Sequence, residues 1–193
     1  KSLTLKAILN LLSSSLEVKK NISSDFELSF DTIGFIPQNP FTSLSSMTKI
    51  KNQIFCSEKK KEEVFKLLDL PLEILEKYPS QISGGQTQRV VIAIALSRDI
   101  KLLLLDEPTT ALDFENKTNI INIVNDLKDK LNINILFVTH DIESIKDICD
   151  DIVIIKNGYV VEFGKTQEVL NKPQNEYTKK LLNSSFKNKK FRN

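Results

Sequence analysis

Leu102-Leu103-Leu104-Leu105-Asp106-Glu107 decides the fold of this chain. Four consecutive leucines read as a strand buried on both faces, the habit of a parallel sheet. Acids at the carboxyl end of such a strand stand where open α/β sheets place their ligand crevice. Pro108 stops any continuation of the strand. Two carboxylates abutting an apolar strand are costly to bury without a task. Asp106 suits Mg2+, held through water, and Glu107 suits the polarising of an attacking water.

Upstream lies Ile82-Ser83-Gly84-Gly85-Gln86, and the residues after it, 87–96, read as a helix. Adjacent glycines let the backbone approach an anion closely. A helix N-terminus offers free N–H groups and a favourable dipole to a phosphate. The same letters also suit an ordinary helix capped by a serine and a flexible glycine pair. Downstream, residues 133–138 read as a second strand, followed by Thr139-His140-Asp141. His140 is the only histidine in the chain. A lone histidine is ordinarily structural or exposed, but its place beside a second strand's carboxyl end makes it a site candidate.

Composition bounds the rest. A chain of 193 residues supports one substantial core, with room for a subdomain. A net charge of +2 gives no nucleic-acid footprint. Cys56 and Cys149 are too few and too far apart for a zinc site or a disulfide framework. No apolar run reaches the ~18–20 residues that span a bilayer, and no signal-peptide pattern is present. A role at a membrane therefore requires a separate transmembrane partner.

Three regions follow in order. Residues 1–38 give an amphipathic helix carried by Leu3, Ala7, Ile8, Leu11 and Leu12, a polar stretch, and short β-like runs at 26–30 and 33–36. Residues 39–97 are mostly helical, with breaks at Pro71 and Pro79. Residues 98–193 alternate strand and helix, which argues for a parallel sheet. Ile120, Ile121, Ile123, Val124, Leu127 and Leu131 line one side of a helix. Residues 152–163 read as a hairpin with a type I′ turn at Asn157-Gly158. The basic end, residues 187–192, reads as a frayed, solvated tail.

Taken together, these motifs resemble those of ABC-type ATPases. Ser83-Gly84-Gly85-Gln86 is similar to the family signature, with Ile82 in place of the usual leucine. Residues 102–106 resemble Walker B, and Glu107 resembles the catalytic glutamate. Thr110-Ala111-Leu112-Asp113 is similar to the D-loop, His140 to the switch histidine, and Gln38 to the Q-loop glutamine. Lys1-Ser2 resembles the last two residues of Walker A. Residues 38–44, Tyr78-Pro79 and the segment from Asn171 to Leu182 resemble the branch that imports peptides or nickel.

The resemblance implies a P-loop NTPase (RecA-like) core of α/β class, mainly parallel, forming one domain over 1–193. It implies an inserted helical subdomain over 39–97, with the α/β core, hairpin and tail over 98–193. The first strands and the G-x-x-G-x-G segment that precedes Lys1 in the family are expected to be missing, so this chain is expected to bind ATP weakly. By resemblance, Lys1 binds phosphate, and Ser2, Gln38 and Asp106 hold Mg2+. Glu107 is the general base, and His140 senses the γ-phosphate. Ser83, Gly84, Gly85, Gln86 and Asp113 serve nucleotide in a dimer, where each signature faces the partner's ATP. A carboxylate at Gly85 is then expected to block pairing while leaving the subunit's own nucleotide binding intact. Implied partners are a second ATPase subunit, identical or homologous, permease subunits and, indirectly, an extracytoplasmic binding protein. The implied location is the cytoplasmic face of the membrane. Two other classes share these motifs: a soluble ABC ATPase of DNA repair or chromosome maintenance, and a catalytically dead interaction subunit.

Overall fold

The computed structural model describes residues 1–110 and 112–187. The chain divides into two compact units, Ser2–Val138 and Thr139–Asn193 together with Lys1. The larger contains α1 (Ser2–Ile8), β1 (Ile33–Ile36), α2 (Glu58–Leu67), α3 (Gly84–Leu96), β2 (Leu102–Asp106), α4 (Phe114–Leu131) and β3 (Asn134–Val138). Short 3-10 turns fill much of the path between β1 and α3.

The leucine strand is the middle of a three-stranded sheet, in the order β1-β2-β3. Both pairings are parallel, with Ile36 opposite Leu105 and Val138 opposite Asp106. Leu103, Leu104 and Leu105 are completely buried, as a strand covered on both faces requires. On one face, Leu5 of α1 packs with Ile33 and Leu104. β1 also carries a close backbone approach. A Cβ at Gly34 would stand 2.8 Å from Ile100 Cδ1, 3.0 Å from Leu103 Cδ1 and 3.1 Å from Ala95 Cβ. Only glycine lets α3 and the strand after it lie this near β1. β3 forms an edge of the sheet among the described residues, and its side chains are correspondingly half-exposed.

Helix α4 connects β2 to β3. Asp113 caps its start, accepting from the Asn116 N–H at 2.8 Å, and Asn132 ends it in the left-handed conformation. Ile120, Val124 and Leu127 are its buried residues, at i, i+4 and i+7. Leu131, expected on that side, is 41% exposed.

Two expectations at the start of the chain need correction. The first helix stops at Ile8, because Asn10 turns left-handed at φ 56°. Leu5 is its buried residue, while Leu3 and Leu11 are 63% and 62% exposed. Residues 26–30 form no strand. Hydroxyls take up their backbone groups instead: Ser24 Oγ accepts from the Phe26 N–H, and Thr32 Oγ1 accepts from the Ser29 N–H and donates to the Glu27 carbonyl.

The second unit holds β4 (Asp151–Lys156), β5 (Tyr159–Lys165), α5 (Thr166–Asn171) and α6 (Glu176–Lys187). β4 and β5 pair antiparallel around Asn157 (φ 51°) and Gly158 (φ 85°), the two left-handed residues of a type I′ turn. Glu162 on β5 accepts from the Gln174 and Asn175 N–H groups just ahead of α6. The basic tail beyond Lys187 lies outside the described residues.

The packing at Gly34 yields a test. Gly34→Ala is expected to cost about 1–3 kcal/mol through overpacking, seen as a lower urea midpoint with an unchanged slope. A midpoint within error of the parent would mean that the contact is slack.

Candidate functional site

Parallel pairing brings three strand ends to one edge of the sheet. Gln38 stands two residues beyond β1, exposed on the loop that leads into the turn Pro40–Ser43. Asp106 and Glu107 end β2. β3 ends at Val138, whose carbonyl accepts from the Glu107 N–H at 2.8 Å.

Asp106 is only 7% exposed. Its Oδ1 accepts a hydrogen bond of 3.0 Å from Ser2 Oγ, at the first residue of α1. The structure thus joins two residues 104 apart in sequence, a hydroxyl and a carboxylate. Both are hard oxygen donors of the kind Mg2+ prefers, and that ion commonly takes few protein ligands and completes its shell with water and phosphate. The donor set therefore fits Mg2+. Among the described residues, no group of three or more His, Cys, Asp or Glu side chains gathers a metal.

Glu107 has a left-handed backbone, φ 48°. The other non-glycine residues with positive φ among those described are Asn10, Asp69, Asn132 and Asn157, types that tolerate this region. Glu107 is the one without that excuse, at a cost of roughly 1–2 kcal/mol. Two bonds hold it there besides its N–H bond to Val138. Thr110 Oγ1 donates to Glu107 Oε2 at 3.0 Å, and the Thr110 N–H donates to the Glu107 carbonyl at 3.1 Å. Sequence reasoning missed this role for Thr110; its hydroxyl three residues after an acid was the available signal.

Ser83-Gly84-Gly85-Gln86 opens α3. Ser83 Oγ accepts from the Gln86 N–H at 3.2 Å, and Gln86 Oε1 accepts from the Ser83 N–H at 3.0 Å, a reciprocal capping box. The Gln86 amide oxygen is thereby occupied within its own helix start. Gly84 is open: a Cβ there would meet only Phe41 Cζ, at 3.8 Å. Gly85 is not open. An added Cβ would overlap Asn116 Oδ1 and lie 3.0 Å from Asn116 Cγ. A carboxylate at Gly85, expected to block pairing while leaving the subunit's own nucleotide binding intact, would also meet Asn116 of the same chain. Asn116 was the second residue missed; its place three after the Asp113 cap was the clue.

Asp113 is the cap of α4, and Ala111 before it lies outside the described residues. The Asn116 backbone N–H, and then the Asn116 side-chain amide at 2.7 Å, hold its carboxyl below the usual carboxylate range.

In the second unit, Lys1 Nζ donates to the Thr139 carbonyl at 2.9 Å. Thr139 Oγ1 accepts from the Asp141 N–H at 2.9 Å, which fixes the turn in which exposed His140 sits.

The Asp113 cap predicts a pH dependence. The folded carboxyl titrates below its unfolded value, so the cap's contribution is whole above about pH 4. It fades as pH falls through the lowered folded value. Amide exchange at Asn116 is expected to quicken across that acid window, and Asp113→Asn is expected to remove the dependence. A flat profile in the parent chain would exclude an ionised cap.

A family model described as ABC transporter matches residues 1–110. The oligopeptide transport ATP-binding protein OppD of Lactococcus lactis subsp. cremoris is 32% identical over 167 residues, covering 79% of this chain and 49% of that protein. The methionine import ATP-binding protein MetN 1 of Bacillus cereus is 40% identical over 129 residues, covering 67% and 37%. The chain thus spans about half the length, or less, of these curated relatives. Among solved structures, the ATP-binding cassette MJ0796, a dimer in a post-hydrolysis state bound to ADP and Pi, matches with TM-score 0.60 and 29% identity. That match covers 70% of this chain and 63% of that one.

Proposed function

This chain belongs to the ABC transporter family of ATP-binding proteins, and from that membership we propose that it hydrolyses ATP to drive a bacterial importer whose cargo is a peptide or a nickel chelate. The observation that carries the reading is the 3.0 Å bond from Ser2 Oγ to Asp106 Oδ1. It gathers a helix-start hydroxyl and a strand-end carboxylate, with Glu107 the next residue along. The likeness to OppD supports a peptide as cargo.

In this reading, Ser2 and Asp106, with Gln38 from the neighbouring strand end, hold Mg2+. When bound, that ion neutralises charge on the phosphates. Glu107 takes a proton from the attacking water as its oxygen bonds to the γ-phosphorus. The bond from that phosphorus to the β–γ bridging oxygen breaks, and its electron pair leaves with ADP. Thr110 anchors one carboxylate oxygen of Glu107. Lys1 and His140 carry the phosphate-binding and γ-sensing roles that family membership suggests. Ser83, Gly84 and Gly85 present the start of α3 to the nucleotide of a second ATPase subunit, identical or homologous. The dimeric state of MJ0796 supports such pairing. Gln86 acts through the capping box that shapes this turn, and Asp113 borders it through Asn116. No helix among the described residues is long and apolar enough to cross a membrane. Permease subunits carry the cargo across, served by an extracytoplasmic binding protein, and this chain works at the cytoplasmic face. Residues 39–97 act as the helical subdomain that receives the permease.

Two substitutions in the full-length subunit, paired with its partner, test the reaction. Glu107→Gln is expected to keep ATP binding and to lower turnover by about 10²–10⁴-fold. The trapped dimer should elute earlier in size exclusion. Near-normal hydrolysis would remove Glu107 as the base. Thr110→Val keeps the shape but deletes the donor, and is expected to lower kcat about tenfold with KM unchanged. Thr110→Ser should retain most of the rate.

A further inference from the structure

Asn116 makes three contacts in two directions. Its backbone N–H donates to Asp113 Oδ1 at 2.8 Å, and its Nδ2 donates to Asp113 Oδ2 at 2.7 Å. Its carboxamide oxygen lies over the Cα of Gly85, so that a Cβ at that position would overlap it. The amide is therefore clamped on one side by a carboxylate and abutted on the other by a backbone. It cannot swing away from residue 85 without giving up its bond to Asp113. Gly85 itself is buried. Its neighbour Gly84 has open space for a methyl group, so the demand for glycine is specific to one of the pair.

We propose that Asn116 is a positioning residue for the turn at the start of α3: it locks Ser83-Gly84-Gly85 to the Asp113 cap, so that the two motifs hold a single geometry. The lock matters to function on the reading that this turn receives a phosphate from a partner subunit. Three N–H groups at a helix start bind an anion only if they converge. Glycine at 84 and 85 leaves that backbone with wide conformational freedom, and the capping box fixes the two ends of the turn without touching its middle. Asn116 supplies the missing restraint at Gly85. The glycine at 85 is thus explained by this chain's own side chain as well as by any ligand.

A double-mutant cycle on the chain as it stands tests the lock. Gly85→Ala is expected to lower Tm by about 4 °C or more. Asn116→Ala removes the obstruction, so the double variant should recover most of what Gly85→Ala loses, a coupling diagnostic of direct contact. Additive losses would overturn the lock. If Gly85→Ala does not fold, amide exchange at Gly85 and Gln86 in Asn116→Ala decides instead: faster exchange supports the lock, and unchanged exchange overturns it. A second arm addresses function, in the full-length Glu107→Gln subunit with its partner. Adding Asn116→Ala should raise the ATP concentration needed for dimer formation about tenfold and leave nucleotide binding by the isolated subunit unchanged. An unmoved ATP dependence with a coupled melting cycle would reduce Asn116 to a packing residue and overturn the positioning role. If Glu107→Gln shows no ATP-driven dimer at all, the functional reading itself fails. The positioning role falls with it, and the melting cycle still decides the lock.

Discussion

Because β2 has a ladder partner on each edge and side chains packed over each face, nothing polar can occupy its middle. That constraint orders the larger unit. It forces the run Leu103-Leu104-Leu105 to be wholly apolar and leaves the strand's carboxyl end as the first place where a charge can stand. Parallel pairing then sends β1 and β3 the same way. Three chain exits, at Gln38, Asp106 and Val138, are gathered at one edge by backbone geometry before any side chain contributes. The hydroxyl of Ser2 arrives there because Leu5 roots α1 onto the sheet.

The chemistry at that edge depends on a backbone that is not at rest. Glu107 sits in a conformation that its side chain does not favour, and the cost is offset by bonds to β3 and to Thr110. Local strain of this sort persists only where surroundings overdetermine it. Here the surroundings are a strand end, a proline and a hydroxyl, all within four residues. The carboxylate's direction is therefore set by the fold before any ligand arrives.

Legibility in the sequence varied with the range of the interaction. The leucine strand, the type I′ hairpin and the serine cap of α3 all rest on neighbours within a few residues, and each was readable. The extent of α1 was not, because Leu11 looks as apolar as Leu5 until Asn10 turns the backbone away. Residues 26–30 have the composition of a strand, yet nearby hydroxyls satisfy their backbone and compete with a ladder. At the site, Asp106 and Glu107 were legible as acids ending a buried strand. The obstruction of Gly85 by Asn116 joins positions 116 − 85 = 31 residues apart and could not be inferred from either motif alone.

The sheet's connectivity also governs how the polypeptide matures. Ile33 pairs with Leu102, 102 − 33 = 69 positions later, and Leu102 pairs with Asn134, 134 − 102 = 32 positions later. Closing long loops costs entropy that is recovered only once the distant strand docks. A ribosome that has released β1 therefore exposes Ile33-Gly34-Phe35-Ile36 for several seconds before β2 emerges, at ~5–20 residues per second. The hairpin at Asn157-Gly158 closes locally as soon as it is made. The apolar strand that sits deepest in the finished sheet thus stays without its β3 partner until the connecting helix α4 has been made, an interval in which its edge is open to mispairing.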